Sequence, residues 1–161
     1  HINLQSIRNI EDFTLLLHER DFDVALVNEH WLSPHEVPLY VPKGYKWAAT
    51  YCRPQQHYGG AAVLVKEDIC VAELNVDEFC KPGVFEVATV KLESKEPVIL
   101  ISLYRTPSSK LSMFLEVLEN FLSKVLDNSD HVKVILGSDF NVCTLSDSKE
   151  SRMLSNLLKS F

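Results

Sequence analysis

The sequence lacks a long apolar run, a paired-cysteine motif and an excess of basic residues. No hydrophobic stretch approaches the roughly 20 residues that a membrane-spanning helix requires. The four cysteines are widely spaced and form no C-x-x-C pair, which argues against a zinc site and is typical of reduced thiols in an intracellular protein. The formal net charge of −6 does not steer the whole chain towards nucleic acid, although a bound divalent cation could reverse the field locally.

What is present is the composition of one folded domain. The 161 residues are 46% hydrophobic and 24% charged, which is ordinary for a globular domain with a substantial core. The chain opens at His1 with neither an initiator methionine nor a signal-peptide pattern. We therefore expect residues 1–161 to be a single domain excised from a longer protein.

Apolar periodicity predicts alternating strands and helices along the chain. Apolar positions at helical spacing predict helices over 10–17, with Ser6 or Asn9 as cap, over 111–125, and from about Ser148 onwards. Short apolar or alternating runs predict strands at 1–3, 24–27, 47–51, 61–65, 71–74, 84–92, 98–104 and 132–136. The pairs 47–65 and 84–104 have the form of antiparallel hairpins, so the order predicts a layered α/β or α+β sandwich.

The stretch 131–142, HVKVILGSDFNV, combines a β-branched run with a polar turn. The run predicts a buried strand, and Gly137 would permit a sharp bend after it. Asp139 and Asn141 would face the same side if the segment stayed extended. On this stretch alone, a rigidly held polar site and a plain Asx-rich turn both remain open.

Polar residues follow several of the predicted buried strands. In layered α/β proteins, function is commonly built at such strand ends because strands are the rigid part. Two carboxylates from separate strands, supported by carboxamides, suit a hard cation such as Mg²⁺, and an adjacent Tyr-Arg pair suits a phosphate. Metal and phosphate together predict phosphoester hydrolysis by these residues: Asn3, Glu29, Tyr104, Arg105, Asp139 and Asn141.

Five segments carry a resemblance to a known family. They are INLQSIRN at 2–9, DVALVNEHWL at 23–32, YGGAAVLVK at 58–66, SLYRTP at 102–107 and GSDFNV at 137–142. In this order and spacing they resemble the endonuclease/exonuclease/phosphatase superfamily, and most closely the apurinic-type endonuclease domain of animal non-LTR retrotransposons. The resemblance implies a four-layered α/β sandwich of the DNase I-like type and an Mg²⁺-dependent nick in DNA, with Mn²⁺ as a substitute cation.

The resemblance also implies a role for each matching residue. Glu29 would be the principal metal ligand, supported by Asn3. Asp139 would orient or deprotonate the attacking water, and Asn141 would hydrogen-bond the scissile phosphate or that water. Tyr104 would contact the phosphate, with Arg105 as a charge-assisted donor or as part of a structural turn. His57 and Arg53 lie in a loop that reaches DNA or is simply exposed.

The sequence departs from the family pattern after Asn141. The family carries a further loop Asp and a Ser-Asp-His run on a last strand, and we expect no Ser-Asp-His run in this chain, which stops at Phe161. We therefore expect a C-terminally truncated domain with an exposed sheet edge, weak or inactive by itself.

Three functions remain open from the sequence. The first is a DNA-nicking domain of a retrotransposon polyprotein or derived protein, upstream of a reverse transcriptase and nuclear if it acts on chromosomal DNA. The second is a phosphatase or RNase of the same superfamily, and the third is a degenerate domain that binds nucleic acid without catalysis.

Overall fold

A computed structural model describes residues 1–54, 58–127 and 132–161, and in these ranges the chain forms eight strands and three α-helices. The strands are β1 Ile2–Asn3, β2 Val24–Asn28, β3 Tyr45–Tyr51, β4 Ala61–Lys66, β5 Val71–Glu73, β6 Glu86–Leu92, β7 Val98–Tyr104 and β8 Lys133–Asp139. The helices are α1 Ile10–Glu19, α2 Leu111–Asp127 and α3 Lys149–Leu158. Each predicted strand and helix is therefore confirmed, with boundaries shifted by a few residues.

The strands form two four-stranded sheets of mixed direction. Sheet A has the order β1-β2-β4-β3, and sheet B has the order β5-β6-β7-β8. The hairpins β3/β4 and β6/β7 are antiparallel, as predicted, whereas β1 runs parallel to β2 and β8 runs parallel to β7. The two parallel pairs direct the ends of β1, β2, β7 and β8 towards the candidate site.

The sheets pack face to face, and helices cover their outer faces. Strand β2 is buried on both faces, because Leu26 packs between the sheets while Ala25 and Val27 pack under α1. This burial is the reason for its uninterrupted apolar run. On the other side, α2 and α3 cover sheet B through a cluster that includes Phe114, Phe121 and Leu154. The layer order is α-β-β-α, which is the predicted four-layered sandwich.

Helix α3 starts where the sequence predicts it, at about Ser148. The Ser148 hydroxyl accepts a hydrogen bond from the Ser151 N–H at 3.0 Å and so caps this helix. Asn9 occupies the cap position of α1, but its side chain donates to Asp12 and makes no capping hydrogen bond. None of the helices in the described ranges has the length and apolarity needed to cross a bilayer.

Strand β8 differs from the prediction in two respects. It is an edge strand of sheet B and not a buried one, since Ile135 is 53% exposed. The uninterrupted apolar run 134–136 predicts burial on both faces, but a sequence pattern does not show which strand or helix covers each face. The bend predicted at Gly137 is also wrong, because β8 continues to Asp139.

Gly137 has a packing role instead. A Cβ atom at this position would lie 2.7 Å from Leu26 Cδ1 and 3.0 Å from His1 Cβ, both in the facing sheet or beside it. A glycine therefore allows β8 to approach sheet A closely, just before the strand reaches Asp139.

Candidate active site

The ends of four strands from both sheets meet at one edge of the sandwich. Asn3 ends β1, Glu29 directly follows β2, Tyr104 ends β7 and Asp139 ends β8. The register of β7 with β8 sets Tyr104 beside Asp139, and the register of β1 with β2 sets Asn3 beside Asn28. The structure thus brings together the residues that the sequence selected at strand ends.

Asn3 bridges the two carboxylates of this site. Its Nδ2 donates to Glu29 Oε1 at 2.7 Å and to Asp139 Oδ2 at 2.8 Å. The second Glu29 oxygen accepts from Trp31 Nε1 at 3.1 Å, and Asp139 Oδ1 accepts from the Asn141 N–H at 3.0 Å. Neither carboxylate forms an ion pair with any residue that the structure describes.

The backbone around Glu29 is held from two sides. The Glu29 and Trp31 N–H groups donate to Gly60 O at 2.9 Å and Gly59 O at 3.1 Å. The Glu29 carbonyl accepts from the Ser6 N–H at 2.9 Å. Glu29 and Trp31 both have positive φ, +54° and +59°, a strained conformation that costs about 1–3 kcal/mol per residue and persists where surrounding contacts fix it. Such strain clusters at functional sites.

His30, between these two residues, has a packing role. The ring is buried, its Nδ1 accepts from the Leu32 N–H at 3.0 Å, and its Nε2 donates to Tyr51 O at 3.0 Å. Burial lowers the pKa of His30 from 6.5 to about 4, so the ring is neutral at physiological pH. Both ring nitrogens are therefore occupied by the fold and not directed at the site.

A buried ion pair supports the loop that holds Glu29. Arg53 Nε lies 2.6 Å from Glu86 Oε1, and the Arg53 guanidinium also donates to Thr106 Oγ1 at 2.8 Å. Glu86 Oε2 accepts a hydrogen bond from the Gly60 N–H at 2.7 Å. The ion pair therefore holds Gly60, whose carbonyl oxygen accepts the Glu29 N–H. Sequence reasoning missed Glu86, and the available signal was a single carboxylate inside the apolar run 84–90.

Asn28 is a second residue that sequence reasoning missed. It is fully buried, its Oδ1 accepts from the Asp139 N–H at 3.1 Å and from His1 Nε2 at 2.6 Å, and its Nδ2 donates to Ser102 Oγ at 3.0 Å. One side chain therefore joins β2 to β7 and β8 immediately behind the carboxylates. A carboxamide at the end of a buried strand, next to Glu29, was the signal.

Tyr104 and Arg105 occupy different environments. Burial and the neighbouring Glu29 carboxylate raise the pKa of Tyr104 above its ordinary value, which keeps the phenol protonated and able to donate. The Arg105 side chain is 6% exposed; it donates to Phe140 O at 3.1 Å and Asn141 O at 3.2 Å, and also to Ser109 O. This arrangement favours the structural-turn alternative for Arg105.

Asp139 and Asn141 are close for a reason other than strand alternation. Asn141 has a φ of +49°, so the segment is turned and not extended. The Asn141 N–H binds Asp139, and its Nδ2 donates to Arg105 O at 2.7 Å, which gives an Asx turn built next to the carboxylate. The segment therefore contains an Asx turn and a carboxylate held by that turn, the two features that the sequence left as alternatives.

Two sequence features lie outside the described residues. His57, expected to contact DNA, belongs to the range 55–57, and nothing is assigned to it structurally. The expectation that the chain has no Ser-Asp-His run is wrong, because this tripeptide occurs at 129–131; it precedes β8 in the sequence, whereas the family's run follows the corresponding strand.

The donors at this edge fit a hard divalent cation. Within the described ranges, no group of three or more His, Cys, Asp or Glu side chains is gathered. In these ranges, the set consists of two carboxylates that form no ion pair and of the side-chain oxygens of Asn3 and Asn141, since both amide nitrogens already donate hydrogen bonds. Mg²⁺ is commonly bound through one or two carboxylates while it keeps several waters, so this set suits it.

Comparisons with known proteins identify the family and the fold of the chain. The model of the Endonuclease/Exonuclease/phosphatase family matches residues 2–157, while no curated protein matches the chain. The endonuclease domain of TRAS1, a telomere-specific non-LTR retrotransposon, is 15% identical with a TM-score of 0.73, covering 99% of this chain and 68% of that chain.

Two further solved structures have the same fold. AP endonuclease LMAP from Leishmania major is 14% identical with a TM-score of 0.72, covering 98% of this chain and 64% of that one. The 3′ phosphatase NExo from Neisseria, bound to product DNA hairpin, is 16% identical with a TM-score of 0.69; the match covers 98% of this chain and 68% of that chain. The chain thus spans about two thirds of the length of these structures. Since the family match extends over nearly all of its residues, the chain belongs to the Endonuclease/Exonuclease/phosphatase family.

Proposed function

We propose that the chain hydrolyses phosphodiester bonds in DNA with the help of Mg²⁺, or Mn²⁺ in its place, as the nicking domain of a non-LTR retrotransposon polyprotein or a derived protein. The observation that carries the proposal is the pair Glu29 and Asp139, two carboxylates from different sheets that share the Asn3 amide. Similarity to the TRAS1 endonuclease domain supports the retrotransposon assignment.

Each residue has a definite task in this proposal. Glu29 would hold the cation with support from Asn3, and the cation would supply positive charge to the phosphate oxygens as negative charge develops. Asp139, whose Oδ1 is fixed by the Asn141 N–H, would orient and deprotonate the attacking water. Tyr104, kept protonated by burial and by Glu29, would donate to the phosphate.

Arg105 and His57 complete the proposed substrate contacts. The guanidinium of Arg105 binds the carbonyls of Phe140 and Asn141, so Arg105 would act on the phosphate indirectly, by fixing the turn that carries Asn141. His57 stays a proposed DNA contact on sequence grounds alone.

Because no Ser-Asp-His run follows Val142, we expect slow hydrolysis by this chain alone. A downstream reverse transcriptase domain and a nuclear location belong to the same proposal.

Conversion of supercoiled plasmid to open circle tests the activity. We expect nicking that requires Mg²⁺, stops with a chelator, and falls about a hundredfold or more in Asp139→Asn, because a positioned base contributes about 10²–10⁴-fold. The exposed Asp68→Asn, in the turn after β4, is the matched control and should keep full activity. Nicking that is insensitive to the chelator or to Asp139→Asn would contradict the mechanism.

Phosphomonoester hydrolysis is the second candidate. It is supported by the structural similarity to NExo, which is described as a 3′ phosphatase. An oligodeoxynucleotide with a 3′ phosphate separates the two reactions: release of inorganic phosphate without nicking of plasmid would favour the phosphatase. Absence of both reactions, with DNA binding retained, would favour a non-catalytic domain.

A further inference from the structure

An aromatic pair, with one ring exposed and one half-buried, lies directly beside the carboxylates. The ring of Tyr58 is 63% exposed and contacts Trp31 edge-to-face, with 5.0 Å between ring centroids. Trp31 in turn donates its Nε1–H to Glu29 Oε2 at 3.1 Å. One indole therefore connects the exposed Tyr58 ring to the candidate metal ligand.

The two neighbours of the Tyr58 ring, Gly59 in sequence and Trp31 in space, are held by hydrogen bonds. Tyr58 directly precedes Gly59, whose carbonyl accepts the Trp31 N–H at 3.1 Å. This bond and the hydrogen bond from Trp31 Nε1 to Glu29 hold Trp31, the residue that the Tyr58 ring contacts. The contact limits the orientations of the Tyr58 ring, and a tyrosine side chain has only two χ angles to fix, so the ring is presented at low conformational cost.

The arginine side chains that the structure describes at the site do not account for binding of a nucleic acid strand. The chain carries a net charge of −6, and the guanidinium groups of Arg53 and Arg105 are buried and bound to protein acceptors. Neutralisation of phosphates by these side chains is therefore weak. Stacking of a base on an aromatic ring needs no net charge and accepts any base, since every base has a π-face.

We propose that Tyr58, braced by Trp31, is a stacking surface for one nucleobase of a DNA strand next to the phosphodiester at Glu29 and Asp139. The inference rests on the proposed function and adds a substrate requirement to it: the base beside the reacting phosphate is unstacked from its neighbours. A strand with exposed bases, single-stranded or locally opened, is then the preferred substrate.

Binding of a fluorescein-labelled, short single-stranded oligodeoxynucleotide in EDTA tests this surface without hydrolysis. We expect Tyr58→Ala to weaken binding about tenfold, within the range measured for stacked bases, and Tyr58→Phe to bind like the unchanged protein. The salt dependence should be the same for all three proteins, because no phosphate contact is lost. In a Trp47→Phe background, Trp31 is the sole tryptophan, and its emission should change on binding.

The outcomes separate this inference from the proposed function. Equal binding by Tyr58→Ala, no binding by the unchanged protein, or equal binding of an abasic deoxyribose-phosphate oligomer would overturn the stacking surface, even if plasmid nicking is observed. Loss of binding in Tyr58→Ala without any Mg²⁺-dependent nicking would instead support the surface and contradict the nuclease.

Discussion

Glu29 and Asp139 belong to different sheets, yet their carboxylates accept hydrogen bonds from one and the same nitrogen, Asn3 Nδ2, at 2.7 and 2.8 Å. Hydrogen bonds to a charged group contribute about 1.5–3 kcal/mol, so this donor offsets part of the repulsion between the two carboxylates. A divalent cation would reduce the repulsion between the carboxylates further. The stability of the site should therefore depend on the charge of residue 3, which lies between them.

The substitution Asn3→Asp tests this balance. It removes the shared donor and adds a third carboxylate, so we expect the free energy of unfolding in EDTA to fall by about 2 kcal/mol. Mg²⁺ should restore much of this loss, because a ligand that binds only the folded state stabilises it. Thermal unfolding with and without Mg²⁺ measures both effects.

Asn75→Asp is the control for this experiment. Asn75 is exposed, lies outside the site and uses its Oδ1 as an acceptor for the Asp77 N–H, a role that aspartate keeps. We expect no Mg²⁺-dependent gain in its melting temperature. An equal response of the two variants to Mg²⁺ would show that the cation does not bind at Asn3.

Gly60 should be intolerant of any side chain. Its φ is +96°, and a Cβ atom would collide with the His30 ring, so Gly60→Ala combines backbone strain with overpacking. We expect a loss of about 3 kcal/mol in the free energy of unfolding, together with loss of nicking, because the Gly60 carbonyl accepts the Glu29 N–H. Urea denaturation and the plasmid assay measure the two effects.

Gly83→Ala separates strain from collision. Gly83 has a similar φ of +73°, but a Cβ atom there would meet nothing within 4 Å. We expect a loss of about 1 kcal/mol, from strain alone, with nicking unchanged. If Gly60→Ala and Gly83→Ala were equally stable, close contact with the His30 ring would not be the reason that Gly60 excludes a side chain.

The sequence was sufficient for the elements and for the outline of the site. The apolar run of β2 predicts that strand because a strand covered on both faces needs apolar residues at every position. The run of β8 predicts a strand as well, although Ile135 is exposed, and the two strand ends select Glu29 and Asp139. The role of Gly137 and the direction of the Arg105 guanidinium were not predictable. Both depend on which element approaches from another part of the chain, and periodicity contains no information about that.

The buried pair Arg53 and Glu86 should be important for stability. Glu86→Ala leaves the Arg53 guanidinium without its carboxylate and removes the acceptor of the Gly60 N–H. Removing one partner of a buried pair costs about 3–5 kcal/mol, and we expect a loss of that size in urea denaturation. Glu96→Ala, which breaks an ion pair of exposed side chains with Lys133, should leave stability unchanged. Similar losses in both variants would contradict the importance of burial.

His30 should make the protein sensitive to acid. Its pKa is about 4 in the folded protein and about 6.5 when exposed, because burial disfavours the charged ring. The unfolded chain therefore binds more protons, and the stabilisation is complete above pH 6.5 and lost as the pH falls from 6.5 to about 4. Over this window we expect His30 to account for about 3 kcal/mol of the decrease in unfolding free energy.

A comparison of variants isolates this contribution from that of the carboxylates. His30→Gln keeps a hydrogen-bonding side chain but cannot titrate, so its stability should fall less steeply between pH 7 and pH 4 than that of the unchanged protein. His35→Gln, at an exposed position of the following loop, should keep the steep fall. Urea denaturation at a series of pH values gives the slopes, and parallel curves for His30→Gln and the unchanged protein would show that the buried ring is not the acid-sensitive group.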